Sequence, residues 1–143
     1  MRELRTEIQI LSTSDKVWEI LIDFPGWSNW NPIVNKIEGN LELGAELFIT
    51  MCDTKGSDGR SYTSIITAID EKKRFSFIAT MMAKFMFSAE RIIELEDSAG
   101  GTLFIQREIY TGLMVPLFWK KLNTDALQML NSMNKALKKK VEN

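Results

Sequence analysis

The segment from Val115 to Val141 limits what this chain can become more than any other. Val115, Phe118, Trp119, Leu122, Ala126, Met129, Leu130, Met133, Ala136 and Leu137 recur at steps of three and four, one stripe of an amphipathic helix whose opposite face is polar. Thr111-Gly112 relieves a turn ahead of it, and Pro116 fits a first helical turn, where the missing N–H costs no hydrogen bond. At about 1.5 Å per residue such a helix runs roughly 35–40 Å, enough to cross a small sheet. A stripe this long needs a partner surface, which the rest of the chain must supply.

That surface reads as a sheet. Leu4, Thr6, Ile8 and Ile10 alternate with Arg5, Glu7 and Gln9, the period of a half-buried strand. Ser14 or Thr13 can cap a short helix carrying Val17, Trp18, Leu21 and Ile22, and Pro25-Gly26 breaks it. Trp27 to Trp30 forms a second short helical turn, stopped by Asn31-Pro32. From Ile33 to Tyr110 the chain predicts six antiparallel strands: Ile33–Ile37, Glu46–Cys52, Ser61–Ile69, Phe75–Met81, Phe85–Leu95 and Thr102–Tyr110. Polar or Gly-rich turns separate them, and a meander is the simplest connection at these lengths. No repeat or linker interrupts the pattern, so residues 1–143 are expected to form a single domain.

Charge sets the register of the last hairpin. One register faces Arg91 with Arg107 and Glu90 with Glu108, and directly opposed like charges are destabilising. Moving it by one residue puts Arg91 opposite Glu108, Ile93 opposite Gln106 and Leu95 opposite Phe104, with a four-residue loop from Ser98 to Gly101. One face then carries Phe85, Phe87, Ala89, Arg91, Ile93 and Leu95 with Phe104, Gln106, Glu108 and Tyr110, and Phe75, Phe77, Ala79 and Met81 extend it on the neighbouring strand. A face so rich in aromatics needs a cover, and the final helix is the only element long enough to provide one. The sheet is expected to curl around that helix and to leave space where the two diverge. Methionines on both surfaces suit an adaptable wall, although the same stripes also serve as plain core.

Composition removes several kinds of chemistry. The chain has no histidine, hence neither the commonest metal ligand nor any Ser-His or Cys-His arrangement. Cys52 is the only cysteine, so no intrachain disulfide forms; it reads as a packed residue in a cytoplasmic protein. Lys and Arg (18) balance Asp and Glu (19), which gives nucleic acid no general attraction. Lys135, Lys138, Lys139 and Lys140 are the cations expected near a helix C-terminus. No signal segment is expected, and no apolar run approaches the roughly 20 residues that stable membrane insertion requires. Asp53 with Ser57-Asp58-Gly59 is too sparse for a calcium loop, and Gly100-Gly101 lacks a phosphate-loop context, so neither metal nor cofactor is expected.

The order of one strand, two short helices, six strands and a long C-terminal helix resembles the α+β helix-grip fold of the START and birch-pollen-allergen (SRPBCC) superfamily. Val17-Trp18, Asp23-Phe24, Trp27 and Trp30-Asn31-Pro32 look like its "VW…DF…W…WNP" segment, and Gly39 and Gly44 follow at its spacing. Gly100-Gly101-Thr102, Glu108, Thr111-Gly112-Leu113, Val115-Pro116-Leu117 and Met133-Asn134-Lys135-Ala136-Leu137-Lys138 resemble the polyketide cyclase/dehydrase branch. The resemblance implies a curved seven-stranded sheet wrapped around the helix and a cavity between them for a hydrophobic or aromatic small molecule. Superfamily members include lipid carriers, hormone receptors, metal-free cyclases and co-chaperone-like modules, so fold alone does not select among them. Many members of the branch carry a histidine on strand six; Arg91-Ile92-Ile93-Glu94-Leu95 stands there instead, and no role of that imidazole carries over.

Candidate ligand contacts are Phe75, Phe77, Phe87, Arg91, Phe104, Gln106, Glu108 and Tyr110 from the sheet, with Phe118, Trp119, Leu122, Ala126 and Met129 from the helix. Met133 and Leu137 read as ordinary core. The candidate catalytic groups are Arg91 and Glu108, an ion pair with Gln106, Tyr110 or Tyr62 as hydrogen-bonding neighbours; the same pair would also serve simply to join two strands. Trp27, Trp30, Asn31 and Pro32 either pack the short helices on the sheet or flank a pocket mouth.

Overall fold

Alternation along Arg2–Ile10 (β1) buries Leu4, Thr6 and Ile10 and leaves Arg2, Arg5 and Glu7 in solvent. The computed structural model describes residues 1–81 and 83–143. Helix α1 (Ser14–Ile22) follows, its N-terminus capped by the Thr13 side chain, which accepts from the Lys16 N–H at 3.3 Å. A 3-10 turn spans Phe24–Asn29. The Asn31 side-chain oxygen then accepts from the N–H groups of Ile33 and Val34 at 3.0 and 3.1 Å, which ends the turn and launches the next strand.

Strands β2 (Val34–Glu38), β3 (Glu46–Cys52), β4 (Asp58–Asp70), β5 (Arg74–Met81), β6 (Phe87–Ser98) and β7 (Gly101–Thr111) join β1 in one antiparallel seven-stranded sheet ordered β1-β7-β6-β5-β4-β3-β2. Every neighbour pair but one is a sequential hairpin; the exception unites the first strand with the last. Helix α2 (Val115–Lys121), a π-helical turn (Leu122–Ala126) and α3 (Leu127–Glu142) run on from one another with right-handed helical backbone at each junction. This is the helix-grip arrangement, a curved sheet closed by a long C-terminal helix.

The hairpin register is the one that charge selects: Arg91 faces Glu108, Ile93 faces Gln106 and Leu95 faces Phe104. Its turn is tighter than expected, since Ser98 pairs with Gly101 and only Ala99 and Gly100 lie outside the ladder, with Gly100 at φ +84°. β4 begins at Asp58, earlier than Ser61, because Asp58 pairs with Cys52 beyond an irregularity in the β3 ladder. Phe85 leaves the face assigned to it: the Ala83 carbonyl accepts from the N–H groups of Met86 and Phe87, which holds Phe85 in a turn at 67% exposure. The final helix is also not uniform. Asn123, Thr124 and Asp125 are weak helix formers, and the Thr124 hydroxyl donates back to the Lys120 carbonyl at 3.1 Å. The wider π turn there keeps Leu122, Ala126 and Leu130 on one line toward the sheet.

Two apolar clusters fill the space between helix and sheet. The larger joins Trp18, Leu21, Phe24 and Trp27 to Phe75, Phe77, Ile93 and Phe104 and to Met133, Leu137 and Val141 of α3. The smaller holds Leu4, Phe87, Tyr110, Val115 and Leu130, with Trp119, Leu122 and Ala126 against it. Trp27 is 1% exposed and donates its indole N–H to the Leu21 carbonyl, so it packs α1 onto the sheet and does not flank an opening.

Candidate functional site

The concave face can be followed row by row across the strands. One row runs Leu4, Glu108, Arg91, Phe77, Ile66. Leu4 belongs to the smaller apolar cluster and Phe77 to the larger, so the charged pair lies where the two clusters part. Arg91 donates from Nε and Nη2 to the single oxygen Oε2 of Glu108, at 3.0 and 2.8 Å. Their side chains keep 11% and 13% of their surface, which makes this a nearly buried ion pair on an otherwise apolar face.

The adjacent row runs Tyr110, Ala89, Ala79, Ser64. Two alanines form a low floor between two hydroxyls. Neither the Tyr110 nor the Ser64 hydroxyl finds a hydrogen-bond partner among the described residues, although both are buried. An unpaired buried hydroxyl is costly, and such groups gather where a ligand or water completes them. Tyr62 reaches the same region from β4. Burial, then the charge of Glu108 and the approach of its carboxylate to the phenol oxygen, which stops short of a well-formed hydrogen bond, raise the phenol pKa of Tyr110 far above its ordinary value; burial also raises that of Tyr62, against the attraction of Arg91. Burial works against the Arg91 charge, but Glu108 and the two phenols outweigh it and hold the guanidinium above its usual pKa.

On the other side of the charged row, a polar bridge pins the helix. Gln106 Nε2 donates to Asn134 Oδ1 at 2.8 Å and to the Leu130 carbonyl at 3.3 Å, and Asn134 Nδ2 donates to Thr6 Oγ1 at 2.9 Å. All three residues are buried, and Gln106 Oε1 has no partner among the described residues. Gln106 thus acts in joining β7, β1 and α3. In the sequence Thr6 reads as one position of the first strand's alternation and Asn134 as part of the C-terminal motif, neither as a site residue, but Asn134 follows Leu130 by four residues and interrupts the apolar stripe, a usable signal.

The candidate residues divide by place. Tyr110 and Phe87 share a cluster with Trp119, Leu122 and Ala126, and the Arg91–Glu108 pair adjoins Tyr110: Tyr110 lies edge-on to Trp119 at 6.3 Å, and Phe87 lies edge-on to Phe118 at 6.0 Å. Phe77 borders the charged pair from the larger cluster, and Met129 packs on that cluster half-buried. Phe75 and Phe104 are fully buried; Phe75 packs its ring against Trp18 and Phe24 and stacks at 6.3 Å on Phe77 of the Arg91 row. Phe118 is 39% exposed and stands at the outer rim.

Two shallow concavities lie away from the space between helix and sheet. One is on the convex face, around the ion pairs of Arg107 with Glu3 and Glu94; the other lies between the start of α1 and the β6–β7 turn. The candidate site is the zone where the helix faces the sheet, and Tyr62, Ala89, Trp119, Leu122, Ala126 and Met129 are half-buried there. Cys52 lies outside it, and burial followed by Asp53 and Asp58 pushes its thiol pKa up, which keeps the thiolate scarce. Among the described residues, no three Cys, Asp or Glu side chains converge in a way that would hold a metal ion, and no helix is long and apolar enough to cross a membrane.

A family described as polyketide cyclase / dehydrase and lipid transport matches residues 1–142. Among solved structures, the chain is similar to the di-domain ARO/CYC StfQ from the steffimycin biosynthetic pathway, with TM-score 0.77 and 11% identity over 98% of this chain and 50% of that one. It is similar to Ara h 8.0201 with TM-score 0.75 and 17% identity, covering 98% of this chain and 97% of that one. Ms6760 from Mycobacterium smegmatis superimposes with TM-score 0.76 at 17% identity, over 98% of this chain and 90% of that one. No curated protein matches in sequence.

Proposed function

We propose that this chain, which belongs to the polyketide cyclase / dehydrase and lipid transport family, binds a small hydrophobic or aromatic molecule in the cleft between sheet and C-terminal helix. The observation that carries this reading is the nearly buried Arg91–Glu108 pair set beside the unpartnered hydroxyls of Tyr110 and Ser64 over an alanine floor. A closed structural core would use apolar side chains there at lower cost. Family membership supports the same class of ligand.

The pair also sets the ligand's polarity. Arg91 and Glu108 neutralise each other, so a ligand carboxylate gains little net attraction while losing its hydration. Both arginine bonds end on Oε2, which leaves Oε1 of Glu108 to accept from a ligand hydroxyl, while Tyr110 O–H donates to a ligand oxygen. A neutral phenol, alcohol or ketone on a flat apolar body meets these groups. The π turn gives the helix a place to shift and widen the cleft as the ligand enters. The single Cys52 supports a cytoplasmic setting.

Native mass spectrometry of the purified protein tests the binding, and calorimetry with 1-naphthol against 1-naphthoate tests the polarity. A co-purifying neutral compound, and tighter binding of the naphthol, are expected. No bound species together with no melting shift across a hydrophobic panel overturns the reading, and tighter naphthoate binding overturns its polarity.

A metal-free cyclase or dehydratase is the second reading, favoured by the same charged pair. Arg91 would hold a developing enolate oxygen, and Glu108 would accept the proton from the adjacent carbon and return it to the leaving hydroxyl. Arg91→Gln and Glu108→Gln then abolish turnover of a polyketide-like substrate. Unchanged turnover in both removes these residues from the mechanism.

A further inference from the structure

Several of the large apolar side chains left in solvent gather at one end of the molecule. Phe85 is 67% exposed, Leu113 75%, Leu117 71% and Met81 46%. Their segments are tied together: the Leu113 N–H donates to the Phe85 carbonyl and the Met114 N–H to the Met86 carbonyl, both at 3.0 Å, and Phe118 lies edge-on to Phe87. Gly112, at φ +122°, permits the close approach, since a Cβ there would collide with the Met86 carbonyl oxygen. These apolar tips are thus held in place by backbone bonds, and their exposure does not come from a slack loop.

The charges on their own segments have one sign. Lys84, Lys120 and Lys121 are exposed beside the tips, and Arg2 lies over the Trp119 ring at 5.2 Å. Residues 81–89 and 109–124 contain no aspartate or glutamate, in a chain whose acidic residues outnumber its basic ones by one. An apolar tip flanked by exposed lysines suits an anionic lipid surface: the tips enter the headgroup–acyl boundary while the ammonium groups meet phosphate. A second copy of the chain suits it poorly, because two such faces would bring Lys84, Lys120 and Lys121 of each copy together.

We propose that this end of the molecule, formed by the β5–β6 turn and the start of the C-terminal helix, docks reversibly on an anionic membrane surface. Docking is peripheral, with no helix crossing the bilayer. Trp119 and Phe118 stand at this end of the cleft, so the docked orientation turns the cleft mouth toward the phase in which apolar molecules dissolve. The surface and its charge stand independently of the cleft's ligand.

Vesicle flotation of the full chain tests the proposal, with neutral phosphatidylcholine vesicles against vesicles carrying about 30% phosphatidylglycerol. Binding is expected on the anionic vesicles only, and it weakens as salt rises because screening shortens from about 10 Å at 0.1 M to about 3 Å at 1 M. Lys120→Ala with Lys121→Ala lowers the partition coefficient by roughly 20- to 30-fold, the effect of two phosphate-facing lysines. Leu113→Ser with Leu117→Ser lowers it at least as far, and because both side chains are exposed, the melting temperature stays unchanged. No binding of the wild-type chain overturns the proposal. So does equal binding by both double variants, or self-association in light scattering that Leu113→Ser with Leu117→Ser dissolves while vesicles stay unbound.

Discussion

Arg91 and Glu108 stand directly opposite each other on β6 and β7, and the arginine closes two nitrogens on one carboxylate oxygen. The other oxygen is not used by the arginine, and the pair is flanked by Leu4 on one side and Phe77 on the other. A charged pair in so apolar a row costs desolvation free energy that its own attraction only partly returns. Removing one partner therefore does more harm than removing both. Glu108→Gln is expected to destabilise the fold by about 3–5 kcal/mol, whereas Arg91→Met with Glu108→Leu stays near the wild type or exceeds it. Urea denaturation midpoints, at unchanged m-value, decide between these outcomes.

The chain has two tyrosines, Tyr62 and Tyr110, and burial raises the pKa of both. In the unfolded chain they ionise near pH 10, so above that pH the unfolded state loses protons that the folded state keeps. Their contribution is complete below pH ~10 and falls as pH climbs beyond it. Absorbance at the tyrosinate band is expected to stay low through pH ~10 in the native protein and to rise only with unfolding. Normal titration of either ring in folded protein would show that its hydroxyl is open to water.

Asn134 holds both Gln106 and Thr6, so its loss takes the shorter bond from each of two buried partners and leaves them the long contacts of Gln106 Nε2 with the Leu130 carbonyl and of Thr6 with the Gln106 carbonyl. Asn134→Ala is expected to cost about 1–3 kcal/mol. In a double-mutant cycle, Gln106→Leu with Asn134→Leu costs less than the sum of the single changes, since no half of the bridge remains. Additive costs would mean that the two side chains do not act together.

Two glycines with positive φ separate conformational strain from contact. Gly100, at φ +84°, faces open space, while a Cβ on Gly112 meets the Met86 backbone. Gly100→Ala is expected to cost about 1 kcal/mol from its left-handed backbone alone. Gly112→Ala costs more, because the β7–α2 connection has to move away from the β5–β6 turn. Thermal unfolding of the two variants ranks them, and limited proteolysis near residue 85 reports the loosened turn.

Much of the architecture was legible because it is local. Alternation marked β1, charge repulsion alone selected the β6–β7 register, and the three- and four-residue stripe marked the final helix. Turns were less legible. The β6–β7 turn closes over two residues because Gly100 reaches a positive φ, and Phe85 drops out of its strand because the Ala83 carbonyl captures the following amides. The π turn at Leu122–Ala126 arises where weak helix formers coincide with a stripe that has to stay in line with the sheet, and periodicity over so few residues does not resolve it.

By itself the sequence determined the order and kind of the elements, the face each strand presents, and the absence of histidine chemistry, because periodicity, turn residues and composition act over a few residues at a time. Only the tertiary structure decided that the apolar face divides into two clusters with Arg91 and Glu108 at their boundary, that the Tyr110 and Ser64 hydroxyls beside it have no well-formed hydrogen bond among the described residues, and that Gln106 reaches Asn134 across to the helix. Those relations join residues far apart in the chain. They depend on sheet curvature and helix placement, which are set by packing of the whole molecule.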